Sequence, residues 1–209
     1  MLFRSWAVID ALISLGLSRA DDLQVVGADI NPRVVDHLTK ARATPPSLTL
    51  VSEIRETDTV TLSAGYREYF GQLGKAIADD DPPRGGIATL VQGHLRKTVR
   101  VGKPAAGTLA AATLDVVTER LDAPAFDLIV ATNILPYFDD VELALAMSNV
   151  AGMLAPGGVF LHNEARPVLG EITDALGVPF QQSRHVNIAT VRGAPAPLFD
   201  SVWLHRRAR

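Results

Sequence analysis

The chain has 209 residues, of which 47% are hydrophobic, enough to bury a sizeable core as one domain. Its formal net charge is −3 and its one dense basic cluster is Arg206, Arg207 and Arg209 at the end of the chain, expected to be a solvated tail. That charge argues against a nucleic-acid surface, because neutralising phosphates needs clustered Lys and Arg. The absence of cysteine excludes a disulfide framework, a thiolate metal site and a cysteine nucleophile. No apolar run approaches the roughly 18 residues of a membrane span, so a cytoplasmic protein without a membrane partner is expected.

Trp6 to Leu17 carries apolar residues at helical spacing, and Gly16 with Ser18 marks its end. Leu23 to Ala28 reads as a buried strand that stops at Asp29. In the following Ile30-Asn31-Pro32, Asn31 suits the cap and Pro32 the first turn of a second helix. A carboxylate at the tip of that strand can accept hydrogen bonds from two ribose hydroxyls. The other reading of Asp29 is a helix cap, a role that Asn31 can fill.

Residues 41–107 read as an insertion, punctuated by Pro45-Pro46, by the run Asp79 to Pro83 and by Gly85-Gly86. One helix is expected over Gly65 to Ile77, with Tyr66, Tyr69 and Phe70 packing. His94, Arg96, Lys97 and Arg100 are candidates for binding an anionic acceptor or for a solvated face. A third strand is expected around Ala111 to Val117.

Phe126 to Ala131 is a nearly continuous apolar run, the pattern of a strand buried on both faces of a parallel sheet. From Asp139 the spacing turns helical, with Val141, Leu143, Leu145, Val150, Met153 and Leu154 facing the sheet and Asp139 or Asp140 as cap. Pro156-Gly157-Gly158 is expected to stop that helix, and Val159 to Leu161 to re-enter as a strand, completing one βαβ unit. Val168 to Leu176 follows as a helix. Val186 to Val191 and Phe199 to His205 then read as a hairpin. His185 is either paired within that hairpin or a base near an acceptor. Ligands of open parallel sheets bind outside the carboxyl ends of the strands, which selects Thr132, Asn133, His162, Asn163 and Glu164.

The segment FDLIVATNILPYF, the helix after it and LAPGGVFLHNE resemble the latter half of a class I S-adenosylmethionine-dependent methyltransferase. The first segment matches the fourth strand and its exit loop, and the second matches the turn into the fifth strand. The resemblance covers roughly Trp6 to Leu204, loosely within the insertion. It implies an α/β fold with a three-layer Rossmann-like sheet, mostly parallel, ending in an antiparallel hairpin, as a single domain over 1–209 with an insertion at 41–107. It implies S-adenosylmethionine as cofactor, held by Asp29, Ile30, Asp115, Val116, Thr132 and Asn133. The carboxylate of Asp115 would accept from the adenine amine while the next backbone N–H donates to a ring nitrogen. Tyr137 and Glu164 would face a small-molecule or protein methyl acceptor. The exit loop is closest to that of the chemotaxis-receptor glutamate methyltransferases, but their regulatory amino-terminal helical domain is not visible, so only the superfamily is expected.

In that family a first strand and a glycine-rich turn precede the acidic strand, and neither is found here. Met1 to Ser5 is what ATG-CTC-TTC-CGA-TCT encodes, a string whose latter part also ends a widely used sequencing adapter. The chain is therefore expected to be truncated inside its first helix, and to be insoluble or molten and unable to bind the cofactor alone. Two other readings stand beside this one. A non-catalytic remnant is the better one if Met1 is a genuine start. A nicotinamide-dependent oxidoreductase would use Asp29 for ribose, but it has no placeable Tyr-Lys or His pair.

Overall fold

The computed structural model describes residues 2–79, 86–122, 125–188, 191–193 and 198–209. They form two compact units, Met1–Thr113 with Ile188–Pro197, and Leu114–Asn187 with Leu198–Arg209. The fold is mixed α/β, with parallel strand pairs in both units and antiparallel strands beside them.

The first unit runs α1 (Leu2–Ser14), β1 (Val25–Asp29), α2 (Pro32–Ala43), β2 (Ser47–Arg55), α3 (Ala64–Gln72), β3 (Thr89–Val91), β4 (His94–Arg100), α4 (Lys103–Gly107) and β5 (Leu109–Thr113). Strands β1 and β5 pair in parallel, from Val25 opposite Leu109 to Asp29 opposite Thr113. Asn31 caps α2 by accepting from the Arg33 N–H at 3.0 Å, and Pro32 opens the helix, as the local sequence requires. Trp6 and Ile9 of α1 join Leu38 and Ala41 of α2 and Leu109 of β5 in one buried cluster. Gly27 makes this approach possible, since a Cβ there would stand 2.7 Å from Leu38 and 3.2 Å from Ser5.

The insertion holds more regular structure than its sequence suggests. Helix α3 ends at Gln72, short of the expected Ile77, and Gly74 at φ 76° turns the chain away. Three strands that the sequence did not reveal form an antiparallel sheet in the order β2-β4-β3. Gln92 and Gly93, both at positive φ, make the tight β3–β4 turn. Tyr66 and Phe70 pack against Leu62 and Leu95, whereas Tyr69 is exposed. Residues 80–85 lie outside the described residues. Strand β5 stops at Thr113, so Asp115 and Val116 fall in the turn beyond it and not within a strand reaching Val117.

The second unit runs β6 (Phe126–Ala131), a short 3-10 turn (Leu135–Tyr137), α5 (Asp140–Met153), β7 (Leu154–His162), α6 (Pro167–Ala175), β8 (Phe180–Ile188) and β9 (Leu198–Arg206). Its sheet has the order β6-β7-β9-β8. Strands β6 and β7 are parallel, so β6-α5-β7 is the expected βαβ unit. Strand β9 is antiparallel to β7, placing the second strand of the terminal hairpin inside and the first at the sheet edge. The first hairpin strand begins at Phe180, six residues before the expected Val186, and Val191 instead bridges to Leu62. Residues 189–190 of the expected strand lie outside the described residues.

Helix α5 begins with a full capping box. Asp139 accepts from the Val141 and Glu142 N–H groups at 2.9 and 2.8 Å, and Glu142 accepts from the Asp139 N–H at 3.0 Å. Leu143, Met147, Val150 and Ala151 form its buried face. Val141 and Leu145, expected on that face, lie four residues apart and are 69% and 49% exposed. Strand β6 has the expected bounds but not burial on both faces. Asp127 is exposed and Val130 is 40% exposed, because among the described residues β7 is the only strand paired with β6.

Pro156-Gly157-Gly158 does not end α5, which has already stopped at Met153. Leu154 pairs with Phe126 and Val159 with Leu128, so the four residues between them form a bulge in the strand. A Cβ on Gly158 would stand 2.8 Å from both Ala155 O and Phe126 O, which are backbone atoms unable to swing aside. Gly158→Ala is therefore expected to destabilise the second unit by about 1–3 kcal/mol, read as a lower urea midpoint; an unchanged midpoint would show that the bulge relaxes freely. The basic tail is solvated as expected at Arg206 and Arg209, which are exposed, but it is also anchored to the strand bulge. The Arg207 N–H donates to Gly158 O at 2.9 Å, Arg206 Nη1 donates to Gly157 O at 2.9 Å, and Arg207 Nη1 donates to Leu154 O.

Candidate functional site

Asp29 lies at the carboxyl end of β1, level with Thr113 of β5. It is 8% exposed, and its carboxylate accepts from the Asn31 N–H at 2.8 Å. Since Asn31 caps α2, the helix does not depend on Asp29 for a cap. A carboxylate has about four lone-pair positions, so this bond leaves capacity for further donors. Ile30, next in the chain, is 65% exposed.

In the second unit the carboxyl ends of β6 and β7 are aligned by the pairing of Ala131 with His162. Thr132 and Asn133 leave one strand as Asn163 and Glu164 leave the other. The Asn133 N–H donates to Asn163 Oδ1 at 3.0 Å and Asn163 Nδ2 donates back to Asn133 Oδ1 at 2.8 Å, closing a ring of two hydrogen bonds. Asn133 sits at φ 55°, a region that a non-glycine residue enters at a cost and where Asn is among the most tolerant types. Arg166 holds the rest of the exit loop. Its Nη1 donates to Leu135 O at 3.0 Å and Phe138 O at 2.9 Å, and its Nη2 meets Asp140 Oδ1 at 2.7 Å. Asp140 is 72% exposed, so this ion pair contributes little beside the two carbonyl bonds. Between those carbonyls Tyr137 is 82% exposed. The Glu164 carboxylate oxygens are shielded from solvent.

The expected residues thus divide. Thr132, Asn133, Tyr137 and Glu164 belong to the loops at one end of the second unit. Asp115 and Val116 belong to that unit too, but their hydrogen bonds lead elsewhere. Asp115 Oδ1 accepts from the Val117 N–H at 3.0 Å, and Val116 O accepts from Asn149 Nδ2 at 2.9 Å. Asn149 lies nine residues along α5 from Asp140, about 13.5 Å at 1.5 Å per residue. Asp29 and Ile30 lie in the first unit. Arg166 was missed by the sequence reading. The available signal was an arginine at the N-cap of α6, where Ser, Thr, Asp or Asn is preferred.

Just behind Asn163, His162 and His205 face each other with Nε2 atoms 3.0 Å apart, both 2% exposed. His162 stacks between Phe160 and Trp203, at 5.3 and 5.7 Å. Burial, then the neighbouring His205, pushes the His162 imidazole down to about 4, and burial also lowers His205. His185 Nδ1 lies 2.6 Å from Ser201 Oγ on the adjacent strand, matching the in-sheet pairing that was one of its two readings.

The basic residues of the insertion are not a common face. Lys97 points inward with Leu95 and Val99 and is 2% exposed, and His94 Nδ1 lies 2.8 Å from Ser52 O. A cleft of about 370 Å³ lies at the amino ends of β1 and β5, lined by Leu23, Gln24, Val25, Arg42 and Thr108 among others, at the opposite end of these strands from Asp29. Among the described residues no group of three or more His, Asp or Glu is placed to hold a metal, and no helix is long and apolar enough to cross a membrane.

No protein-family model matches the chain, and no curated protein is similar to it in sequence. Several solved structures align with part or most of the chain. A SAM-dependent methyltransferase from Methanosarcina mazei aligns with 95% of this chain and 88% of its own, at 12% identity and a TM-score of 0.49. The N-methyltransferase NodS from Bradyrhizobium japonicum, solved with S-adenosyl-L-homocysteine, aligns with 51% of this chain and 61% of its own, at 21% identity and a TM-score of 0.37. A didemethyltoxoflavin methyltransferase from Burkholderia thailandensis aligns with 49% of this chain and 52% of its own, at 18% identity and a TM-score of 0.38. All three are methyltransferases. The match thus spans about three-fifths of the length of NodS.

Proposed function

We propose that the chain is a methyltransferase-like domain over 1–209, with an insertion at 41–107, that transfers a methyl group from S-adenosylmethionine to a small-molecule or protein acceptor in the cytoplasm. The observation that carries this reading is the β6-α5-β7 parallel unit closed by an antiparallel hairpin whose second strand lies against β7. In this reading Asp29 accepts from the ribose hydroxyls, and its buried carboxylate with one bond to Asn31 suits that pair of donors. Ile30, Asp115 and Val116 flank the adenine, Thr132 and Asn133 line the cofactor beside the exit loop, and Tyr137 and Glu164 face the acceptor.

S-adenosylmethionine, when bound, supplies a methyl group already activated on a sulfonium. What remains for the chain is alignment and exclusion of water, so no residue need act as an obligatory base. Isothermal titration with S-adenosylhomocysteine tests the reading. In a chain that also carries the family's first strand and glycine-rich turn, Asp29→Ala is expected to weaken binding by about 1–3 kcal/mol, the cost of leaving buried donors unpartnered. Affinity unchanged by the substitution would remove Asp29 from the site, and no binding to that longer chain without the substitution would remove the cofactor. A second reading, a non-catalytic methyltransferase-like remnant, is favoured by one observation: β1 and β6 are each the end strand of their sheet among the described residues. The same titration separates the two.

A further inference from the structure

We infer that the exit loop 132–138 is preset before any ligand arrives, with Arg166 as its positioning residue and Asn163 as the second anchor. This rests on the methyltransferase reading for the purpose of the loop, but not for its rigidity. Three independent features of the structure point the same way.

The first is the direction of the Arg166 side chain. A guanidinium is a planar fork with five donors, and this one spends its Nη1 on two loop carbonyls, Leu135 O and Phe138 O, three residues apart. Together they bracket the 3-10 turn, whose own bonds, Tyr137 N–H to Ile134 O at 3.2 Å and Phe138 N–H to Leu135 O at 3.3 Å, are long for N–H donors. Those bonds alone would hold the turn poorly. The second is the Asn133–Asn163 ring, which ties down a residue at positive φ from thirty positions away. The third is exposure. Tyr137 is 82% exposed, so its own ring does not fix the loop; Leu135, 1% exposed in the core cluster with Ile134 and Phe138 packed against it, anchors the loop together with the polar contacts from the β7–α6 connection.

A loop held in this way presents Tyr137 in one place without waiting for a ligand. The ordering cost is met on folding, and the entropy penalty on binding falls accordingly. Arg166 touches only backbone and Asp140 in this arrangement, so its role is to place the loop.

Hydrogen–deuterium exchange of the ligand-free full chain, followed by titration with S-adenosylhomocysteine, tests this. In the unsubstituted chain the amides of Asn133, Tyr137 and Phe138 are expected to be protected without ligand. In Arg166→Ala their exchange is expected to accelerate about tenfold, the equivalent of one lost charged hydrogen bond, while the α5 amides from Leu143 to Ala151 stay as they were. Arg166→Lys, which keeps the charge but not the fork, is expected to fall between the two and guards against a folding defect in the alanine variant. Affinity for S-adenosylhomocysteine is expected to drop about tenfold in Arg166→Ala. Free exchange of the loop in the unsubstituted chain, unaltered exchange in the variant, or an equal acceleration across α5 would each overturn the inference. Protection without any binding of S-adenosylhomocysteine, here and in a chain that also carries the family's first strand and glycine-rich turn, would sink the methyltransferase reading and leave the preset loop standing.

Discussion

Acidification from pH 6.5 to about 4 is expected to remove about 3 kcal/mol of stability from the second unit through His162 alone. The imidazole is buried beside His205 and titrates near 4 in the folded chain, against 6.5 when exposed. Between those values the unfolded chain binds a proton that the folded chain refuses, so stability is full above 6.5 and falls as the pH drops toward 4. A hydrogen bond between two Nε2 atoms needs one proton between them, and a second sets two N–H groups head to head. His205 is also lowered by burial, while Asp174 favours its charged form, and its loss runs in the same direction. Urea midpoints measured from pH 7.5 to 4 in the unsubstituted chain and in His162→Gln isolate this contribution from that of the carboxylates. Parallel curves would show that the pair titrates as exposed histidines do.

Lys97→Ala is expected to cost the first unit about 2–4 kcal/mol, combining a cavity with lost hydrogen bonds. Lys97 is 2% exposed between Leu95 and Val99 of β4, and its Nζ donates to Gly71 O at 3.0 Å and to Leu73 O, at and just beyond the end of α3. A cation there also meets the negative end of the helix. From the other side Asp10 of α1 accepts from the Gly74 and Ala76 N–H groups, both at 2.8 Å, so the turn after α3 is held by one buried cation and one carboxylate. Burial lowers the amine to about 8, against the pull of Asp10. The folded value lies below the unfolded 10.5, so the Lys97 contribution makes stability rise as the pH goes from 8 to 10.5. Lys97→Met fills the volume without the charge and is expected to lose less than Lys97→Ala and to lack that alkaline rise. Equal losses in the two variants would mean that packing volume counts for nothing at this position.

Some of this molecule was written locally in its sequence. The bounds of β6, the start of α2 at Asn31-Pro32 and the start of α5 at Asp139 followed from an apolar run and from caps, signals whose donors and acceptors lie within a few residues of one another. The choice between Asp139 and Asp140 as cap was already implied by Glu142 three positions after Asp139, since a capping box needs that spacing. Asp29 at the end of its strand was legible for the same reason.

Tertiary structure decided the rest. Periodicity says which residues share a face but not which strand lies alongside, so only the folded chain places β9 between β7 and β8, or assembles β2, β4 and β3. In β4 a lysine stands at the central inward position of the alternation, which hid the strand, and its partners are carbonyls from 24 and 26 residues away. The proline-glycine motif was legible as a break, but whether it ended a helix or bulged a strand depended on the pairing of Phe126 with Leu154. Asn133 and Arg166 draw their meaning from contacts 28 to 31 residues apart in sequence. Single-residue chemistry names such a group as polar; only chain closure, which brings the β6 and β7 ends level, supplies the partner.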